Sequence, residues 1–203
     1  MTTDSQQVCG VLLAAGTSTR FGAKNKLLEP IDGVPLVRRS AATLVEAGLT
    51  PLIAVVGHES VQVRDALDGL DFEIIENESY PEGQATSVRA AAQVLTERDT
   101  VDAAVFALGD MPYVSVATIR SLVSAYEAGE GTALAAAYEG VRGNPVLFDR
   151  QHFQALGEVD GDTGGKAVFK GADQHSLVET DDPGVRIDID TTCDLDTERP
   201  DQS

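Results

Sequence analysis

The chain has no tryptophan, two cysteines and two methionines, and only four of its 203 residues are lysine. Each shortage excludes something. Cys9 and Cys193 stand far apart without metal-ligand spacing, so neither a zinc site nor a disulfide framework is expected, and both read as free thiols. No apolar run approaches the ~20 residues that a membrane-spanning helix needs. No basic, apolar leader is read before Cys9, so a cytoplasmic place is expected. The deficit of bases is the largest: 33 acids against 15 bases leave a net charge of −18. Such a surface repels nucleic acid and anionic membrane, and neither is expected as a partner. The acids occur in pairs and small groups along the chain, as at Asp181 and Asp182. That pattern suits a salt-accumulating, halophilic cytoplasm, where a Debye length of ~3 Å at 1 M screens self-repulsion.

What the chain does have is the material for one α/β domain over residues 1–203, at 42% hydrophobic content. No repeat or linker interrupts it, and residues 1–6 and 199–203 read as flexible tails. Val8 to Ala15 is continuously apolar, as expected of a strand buried on both faces of a parallel sheet, and stops at Gly16. Thr17, Ser18, Thr19, Arg20, Gly22, Lys24 and Lys26 follow. Donors and positive charge therefore gather at the carboxyl end of the first strand, where open α/β sheets bind ligands. The physical reading is a triphosphate cradle. Gly16 and Gly22 admit an anion close to the backbone, Ser18 and the loop amides donate to phosphate oxygens, and Arg20 and Lys26 neutralise charge. Two other phosphate motifs are excluded. Gly22 is not followed by the Lys and Ser or Thr of a Walker A loop, and Gly16 has no glycine two residues on, as a dinucleotide fingerprint requires.

Periodicity supplies the frame. Val34 to Gly48 reads as a helix with Pro35 in its first turn, Gly48 as its stop, and Arg38 and Arg39 facing solvent. Leu52 to Val56 and Phe72 to Glu76 read as strands, with a helix from Glu59 to Leu70 between them. Helices are expected at Ala85 to Glu97, Ser115 to Gly129 and Asp149 to Leu156. This is the order of a Rossmann-like, doubly wound α/β fold with a mostly parallel sheet. Beyond Gly131 the pattern turns irregular, and Thr132 to Tyr138 and Pro145 to Phe148 read as two strands of a mixed second half. Asp102 to Pro112 repeats the opening logic, an apolar run that ends in a carboxylate. Asp110 at a strand end beside a triphosphate cradle is a candidate Mg2+ ligand, and helix capping is its ordinary alternative. In Val185 to Leu195, alternation puts Asp188 and Asp190 on one face of a short strand. His58 follows a strand and receives no role.

These residues carry a resemblance. LLAAGTSTRFGAKNKLL resembles the A-A-G-x-S-x-R-x-G opening, with its following K-L-L, of the MobA-like nucleotidyltransferases, in the branch that includes molybdenum cofactor cytidylyltransferase. The resemblance implies the nucleotide-diphospho-sugar transferase type of fold and a nucleotide held by Leu13, Ala14, Ala15, Gly16, Ser18, Arg20 and Lys26. Asn77, Gly83 and Ser87 match its N-x-x-x-x-x-G-x-x-x-S pattern near the base. The G-D-M-P run at Asp110 resembles its metal-binding segment, and D-I-D-T-x-x-D-L places the second metal ligand at Asp190, with Asp188 as a further candidate. Asn144 stands where relatives carry His in G-H-P-V-x-F, and Lys166 where they carry Arg, so a substrate-facing region is expected there. Arg20, Lys26 and Asp110 are then the implied catalytic residues and Mg2+ the implied cofactor. The implied reaction moves CMP from CTP to the phosphate of a molybdopterin-type acceptor, with a molybdoenzyme receiving the product. CTP is favoured over GTP because GTP users tend to read A-G-G where this chain has Ala14, Ala15, Gly16. A guanylyltransferase, a transferase using another phosphorylated acceptor, an NAD(P)-dependent oxidoreductase and a non-catalytic cofactor carrier are the alternatives.

Overall fold

The computed structural model of the chain describes residues 6–18, 21, 24–161, 164–191 and 194. Strand β1 (Val8–Ala14) is the predicted buried strand. Its alternate side chains serve two different layers, Leu12 and Ala14 on one face, Cys9 and Val11 on the other. Burial pushes the Cys9 thiol up to about 12, which makes it an inert core residue. Cys193 lies outside the described residues.

The predicted start of the first helix is corrected. Val34 and Pro35 are not helical but form β3 (Val34–Pro35), paired antiparallel with β2 (Pro30–Ile31) across a two-residue turn. Asp32 and Gly33 both have positive φ, 51° and 79°, the conformation that an Asp-Gly hairpin turn adopts. Helix α1 (Leu36–Ala47) therefore begins two residues late, and Gly48 ends it in the left-handed region at φ 85°. Arg38 and Arg39 do not simply face solvent. Arg38 donates to the Ala66 and Asp68 carbonyls, and Arg39 donates to the Ile31 carbonyl and pairs with Asp32.

From there the elements follow the expected order: β4 (Leu52–Val56), α2 (Ser60–Ala66), β5 (Phe72–Glu76), α3 (Gln84–Thr96), β6 (Ala103–Leu108) and α4 (Val116–Glu127). The mixed half comprises β7 (Ala133–Tyr138), β8 (Val141–Asp149), α5 (Phe153–Leu156), α6 (Lys166–Gly171) and β9 (His175–Glu179). Asp149 to Leu156 is not one helix. It splits into a 3-10 turn capped by Asp149 and the short α5. The sheet order is β5-β4-β1-β6-β8-β7-β9, with β5, β4, β1 and β6 parallel and β8 antiparallel to both β6 and β7. The fold is α/β, with α1, α2 and α4 packed on one face and α3, α5 and α6 on the other.

The segment Val185 to Leu195 forms no strand among its described residues. A 3-10 turn (Pro183–Arg186) leads into extended backbone that alternates, with Ile189 fully buried between Asp188 and Asp190. The backbone N–H of Ile189 donates to the Asp110 carbonyl at 3.0 Å, which ties this segment to the turn after β6 instead of to a sheet edge. Gly143 fixes its other side. A Cβ there would lie 2.1 Å from the Val185 carbonyl oxygen, so the backbone of β8 touches the backbone that carries the acids.

Candidate active site

At the carboxyl end of β1 the chain opens into a cleft of about 400 Å³ between the Gly16–Ser18 loop, the turn after β6 and the start of α3. Leu13, Ala15, Gly16 and Ser18 line it as expected, together with Lys26, Gly83, Ser87, Asp110 and Asp190. Ala14 does not. Its side chain points into the opposite layer, because adjacent residues of a strand face opposite ways. Arg20 lies outside the described residues.

The floor of the cleft is an ion triad. The Lys26 ammonium lies 2.8 Å from Asp110 Oδ2 and 2.8 Å from Asp190 Oδ1. Burial acts to lower the lysine's pKa. The charge of Asp110 and hydrogen bonds to both acids outweigh it, and the net direction is upward. The Asp188 carboxyl is held above the ordinary carboxylate range, first by desolvation and then by repulsion from Asp110 and Asp190. The described cations of the loop are thus already paired, Lys24 with Glu29 and Lys26 with the two aspartates. This revises the predicted cradle, since Lys26 serves the acids before it serves a phosphate.

The loop that presents Lys26 is closed by its own polar side chains. Ser18, at a positive φ of 53°, donates to Asn25 Oδ1 at 3.2 Å and accepts from the Lys26 backbone N–H at 3.1 Å. Asn25 accepts from the Leu27 N–H and donates to the His58 carbonyl. Ser18 therefore borders the cleft while its hydroxyl is committed to holding Lys26 in place. Asn77 is committed in the same way. It is buried, does not line the cleft, and donates to Thr86 and Ser87 while accepting from the Ser79 N–H, which pins the loop that enters α3. Gly83 and Gln84 bring the amino end of α3 to the cleft wall, where the Gly83 N–H is already bonded to the Tyr80 carbonyl and the amides of the helix's first turn follow, an arrangement that favours anions.

Tyr80, Pro81 and Gln84 are among the wall residues that had no role in the sequence-based expectations. Their signal was the polar loop composition itself. Asp194 was also passed over. Its carboxylate accepts from the Asp190 and Thr191 N–H groups at 2.9 and 2.6 Å, and these backbone bonds hold its pKa below the usual range.

A second compartment of about 290 Å³ adjoins the first and shares Leu13, Gln84 and Leu108 with it. Asn144 and Lys166 line this one, with Arg142, Phe106 and Phe148. The structure thus brings Lys26, Asp110 and Asp190 into one cleft and sets Asn144 and Lys166 next door, while Asp188 stands beside the acid pair.

Whether the acids suit a divalent cation is a matter of donor chemistry. Two carboxylates converge on one cationic nitrogen and remain partly open to the cleft. Mg2+ and Mn2+ take one or two such oxygens and keep their other positions for phosphate and water, so the set fits. Among the described residues no cluster of three or more His, Cys, Asp or Glu side chains could hold a metal alone.

The model of the MobA-like NTP transferase domain matches residues 10–178. The chain belongs to this family. Its similarity to the MobA-like member nicotine blue oxidoreductase of Paenarthrobacter nicotinovorans is 28% identity over 93% of this chain and 95% of that one. The bifunctional protein GlmU of Clavibacter sepedonicus is 34% identical over 79% of the chain, but the chain spans only about a third of that relative's length (34%). Among solved structures of the family, Rv0371c of Mycobacterium tuberculosis H37Rv superposes with a TM-score of 0.78 at 28% identity, covering 95% and 97% of the two chains, and it has also been solved in complex with manganese. No helix among the described residues is long and apolar enough to cross a membrane.

Proposed function

We propose that this MobA-like protein is a Mg2+-dependent cytidylyltransferase that transfers CMP from CTP to the phosphate of a molybdopterin-type acceptor and releases pyrophosphate. The observation that carries the reading is the meeting of Asp110, Asp190 and Lys26 on the floor of a cleft whose wall is the amino end of α3. A divalent cation held by Asp110 and Asp190 supplies charge neutralisation for the triphosphate. The manganese complex of Rv0371c is consistent with such a site in this family. Lys26, on the floor of the same cleft, would bind the β- and γ-phosphates once Asp110 and Asp190 hold the cation. Gly16 and the first amides of α3 hold the remaining phosphate oxygens. Arg20, by its place in the family motif, neutralises the departing pyrophosphate. Asn77 acts by positioning Gly83 and Ser87 near the base.

The attacking group needs no enzymatic base. A phosphate monoester has its second pKa near ~6 and is mostly dianionic at neutral pH. Catalysis then consists of orientation and charge stabilisation, as in other phosphoryl transfers. The choice of CTP rests on Ala15 where GTP-using relatives carry glycine.

Calorimetric titration of the protein with CTP, GTP, UTP and ATP, with Mg2+ in concentrated KCl, tests the reading. Mg2+-dependent binding with CTP preferred, lost in Asp110→Asn, is expected. GTP preference would move the protein to the guanylyltransferase branch. The full-length similarity to nicotine blue oxidoreductase supports a second reading, an NAD(P)-dependent oxidoreductase. Tight NAD(P)H binding without Mg2+, and no NTP binding, would select it.

A further inference from the structure

Strand β8 places Arg142, Asn144, Val146 and Phe148 at alternate positions, and all four line the second compartment. Period-two placement thus makes one wall of the cavity out of a single strand face, cationic at one end and aromatic at the other. The Arg142 guanidinium lies 4.6 Å above the Phe169 ring. Its Nε is shielded from solvent and has no hydrogen-bond partner.

Arg38 and Arg120 donate to backbone carbonyls, and most other described arginines of this acidic chain meet an acid. Arg39, Arg64, Arg89, Arg98 and Arg150 each pair with a carboxylate, and no described carboxylate pairs with Arg142. Burial alone moves its pKa, downward, with no acid opposing the shift. An arginine remains charged throughout. A buried donor without a partner calls for an explanation, and an absent anion is one. The guanidinium fork matches a carboxylate or phosphate edge to edge, and Lys166 adds a second positive charge to the same cavity. The same cavity is lined by the apolar side chains of Leu13, Val88, Phe106 and Phe148.

We infer that the second compartment binds a molecule with an anionic group on a flat, apolar body, and that Arg142 is the residue that selects the anion. As the acceptor's seat this rests on the transferase reading. As a binding site it stands by itself.

The probe is phenyl phosphate, compared with phenol, which lacks the anion, and inorganic phosphate, which lacks the ring. Each is titrated into the full chain in EDTA without nucleotide, while the arginine Nε–Hε signals are followed by ¹H–¹⁵N NMR. The Arg142 signal is identified by its loss in Arg142→Met. That signal is expected to shift saturably with phenyl phosphate, at least tenfold more tightly than with phenol or phosphate. Arg142→Met is expected to lower phenyl phosphate affinity about tenfold, to the level of phenol. Arg142→Lys, which keeps the charge and loses the fork, should lose at least threefold, and it decides the matter if Arg142→Met does not fold. Equal affinity for phenyl phosphate and phenol, or undiminished phenyl phosphate binding in the folded variants, would overturn the inference. Phenyl phosphate binding without Mg2+-dependent CTP binding sinks the transferase reading and leaves the anion site. The reverse result sinks the anion site alone.

Discussion

The two neighbouring compartments treat charge in opposite ways. In the first, Lys26 is clamped between Asp110 and Asp190, and the loop that carries it is closed by Ser18 and Asn25. In the second, Arg142 sits over an aromatic ring, its Nε has no hydrogen-bond partner, and no described carboxylate pairs with it. The first is assembled from residues far apart in sequence, Lys26 and Asp190 being 164 positions apart. The second takes Arg142 and Asn144, and with them one whole wall, from a single strand, β8. A site that must accept a metal and a polyanion needs acids and bases together, and those neutralise one another until the ligands arrive. A site that recognises one anionic group needs only an unclaimed cation. The acidic chain keeps Arg142 unclaimed by surrounding it with apolar walls.

The sharpest way to break this comparison is to separate the compartments. Gly143→Ala places a methyl group 2.1 Å from the Val185 carbonyl oxygen, so β8 and the acid-bearing segment must part. A loss of roughly 3 kcal/mol in stability is expected, read from urea unfolding. Binding of phenyl phosphate and of Mg2+–CTP should both weaken. An intact variant that loses only one would show that the two sites do not share this contact.

A smaller effect is expected from Lys26→Met, which leaves Asp110 and Asp190 without their shared cation. The pair is partly solvent-screened, so about 2 kcal/mol at neutral pH is the expected cost. The pH dependence gives the mechanism away. In the wild type, Asp188 is raised by burial and by both acids, while Lys26 pulls it down. Removing Lys26 raises Asp188 further. A raised carboxyl binds its proton more tightly in the folded state, so its stabilisation is present below the unfolded pKa near ~4 and is lost as pH rises through the folded value. The variant's melting deficit should therefore shrink between about pH 7.5 and pH 5. A constant deficit would mean that packing, not charge, is what Lys26 contributes.

The smallest expected change comes from Asp194→Ala, which removes acceptors from the Asp190 and Thr191 amides without touching the cleft. Supports of this kind are worth about 10- to 100-fold in metal affinity, and the low end is expected at a residue that is only half-buried. Mn2+ binding followed by electron paramagnetic resonance reads it. If the affinity is unchanged, the Asp194 carboxylate does not orient Asp190.

Much of the parallel half was legible because burial on both faces writes an unbroken apolar run, as in β1 and β4; the half-buried edge strand β5 also lies where the sequence predicts it. Edges were harder. Strand β9 alternates between exposed and half-buried residues, so His175–Glu179 resembles a loop until its pairing with β7 is seen. The Asp32–Gly33 hairpin was written in a dipeptide but masked by the helical pattern that follows. At the site, residue types pointed to the right place and left their partners open. Ser18, Asn77 and Lys26 are all polar groups near a ligand edge, yet the first two spend their hydrogen bonds on the scaffold and the third on carboxylates from distant segments. Pairing of that kind is a tertiary property. The roles implied for Arg20, and the tails at residues 1–5 and 199–203, lie outside the described residues.

The contact at Gly143 also acts as a ruler. Arg142 and Asn144 flank it on one strand, and the segment from Val185 leads directly to Asp188 and Asp190, so the nearest neighbours at the crossing are the Val185 carbonyl oxygen and carbon, which cannot swing aside as a flexible side chain would. The span between the unclaimed arginine and the paired aspartates is therefore set by backbone against backbone. Discrimination by length follows: a molecule that is one bond too short or too long would satisfy one end of the site and miss the other.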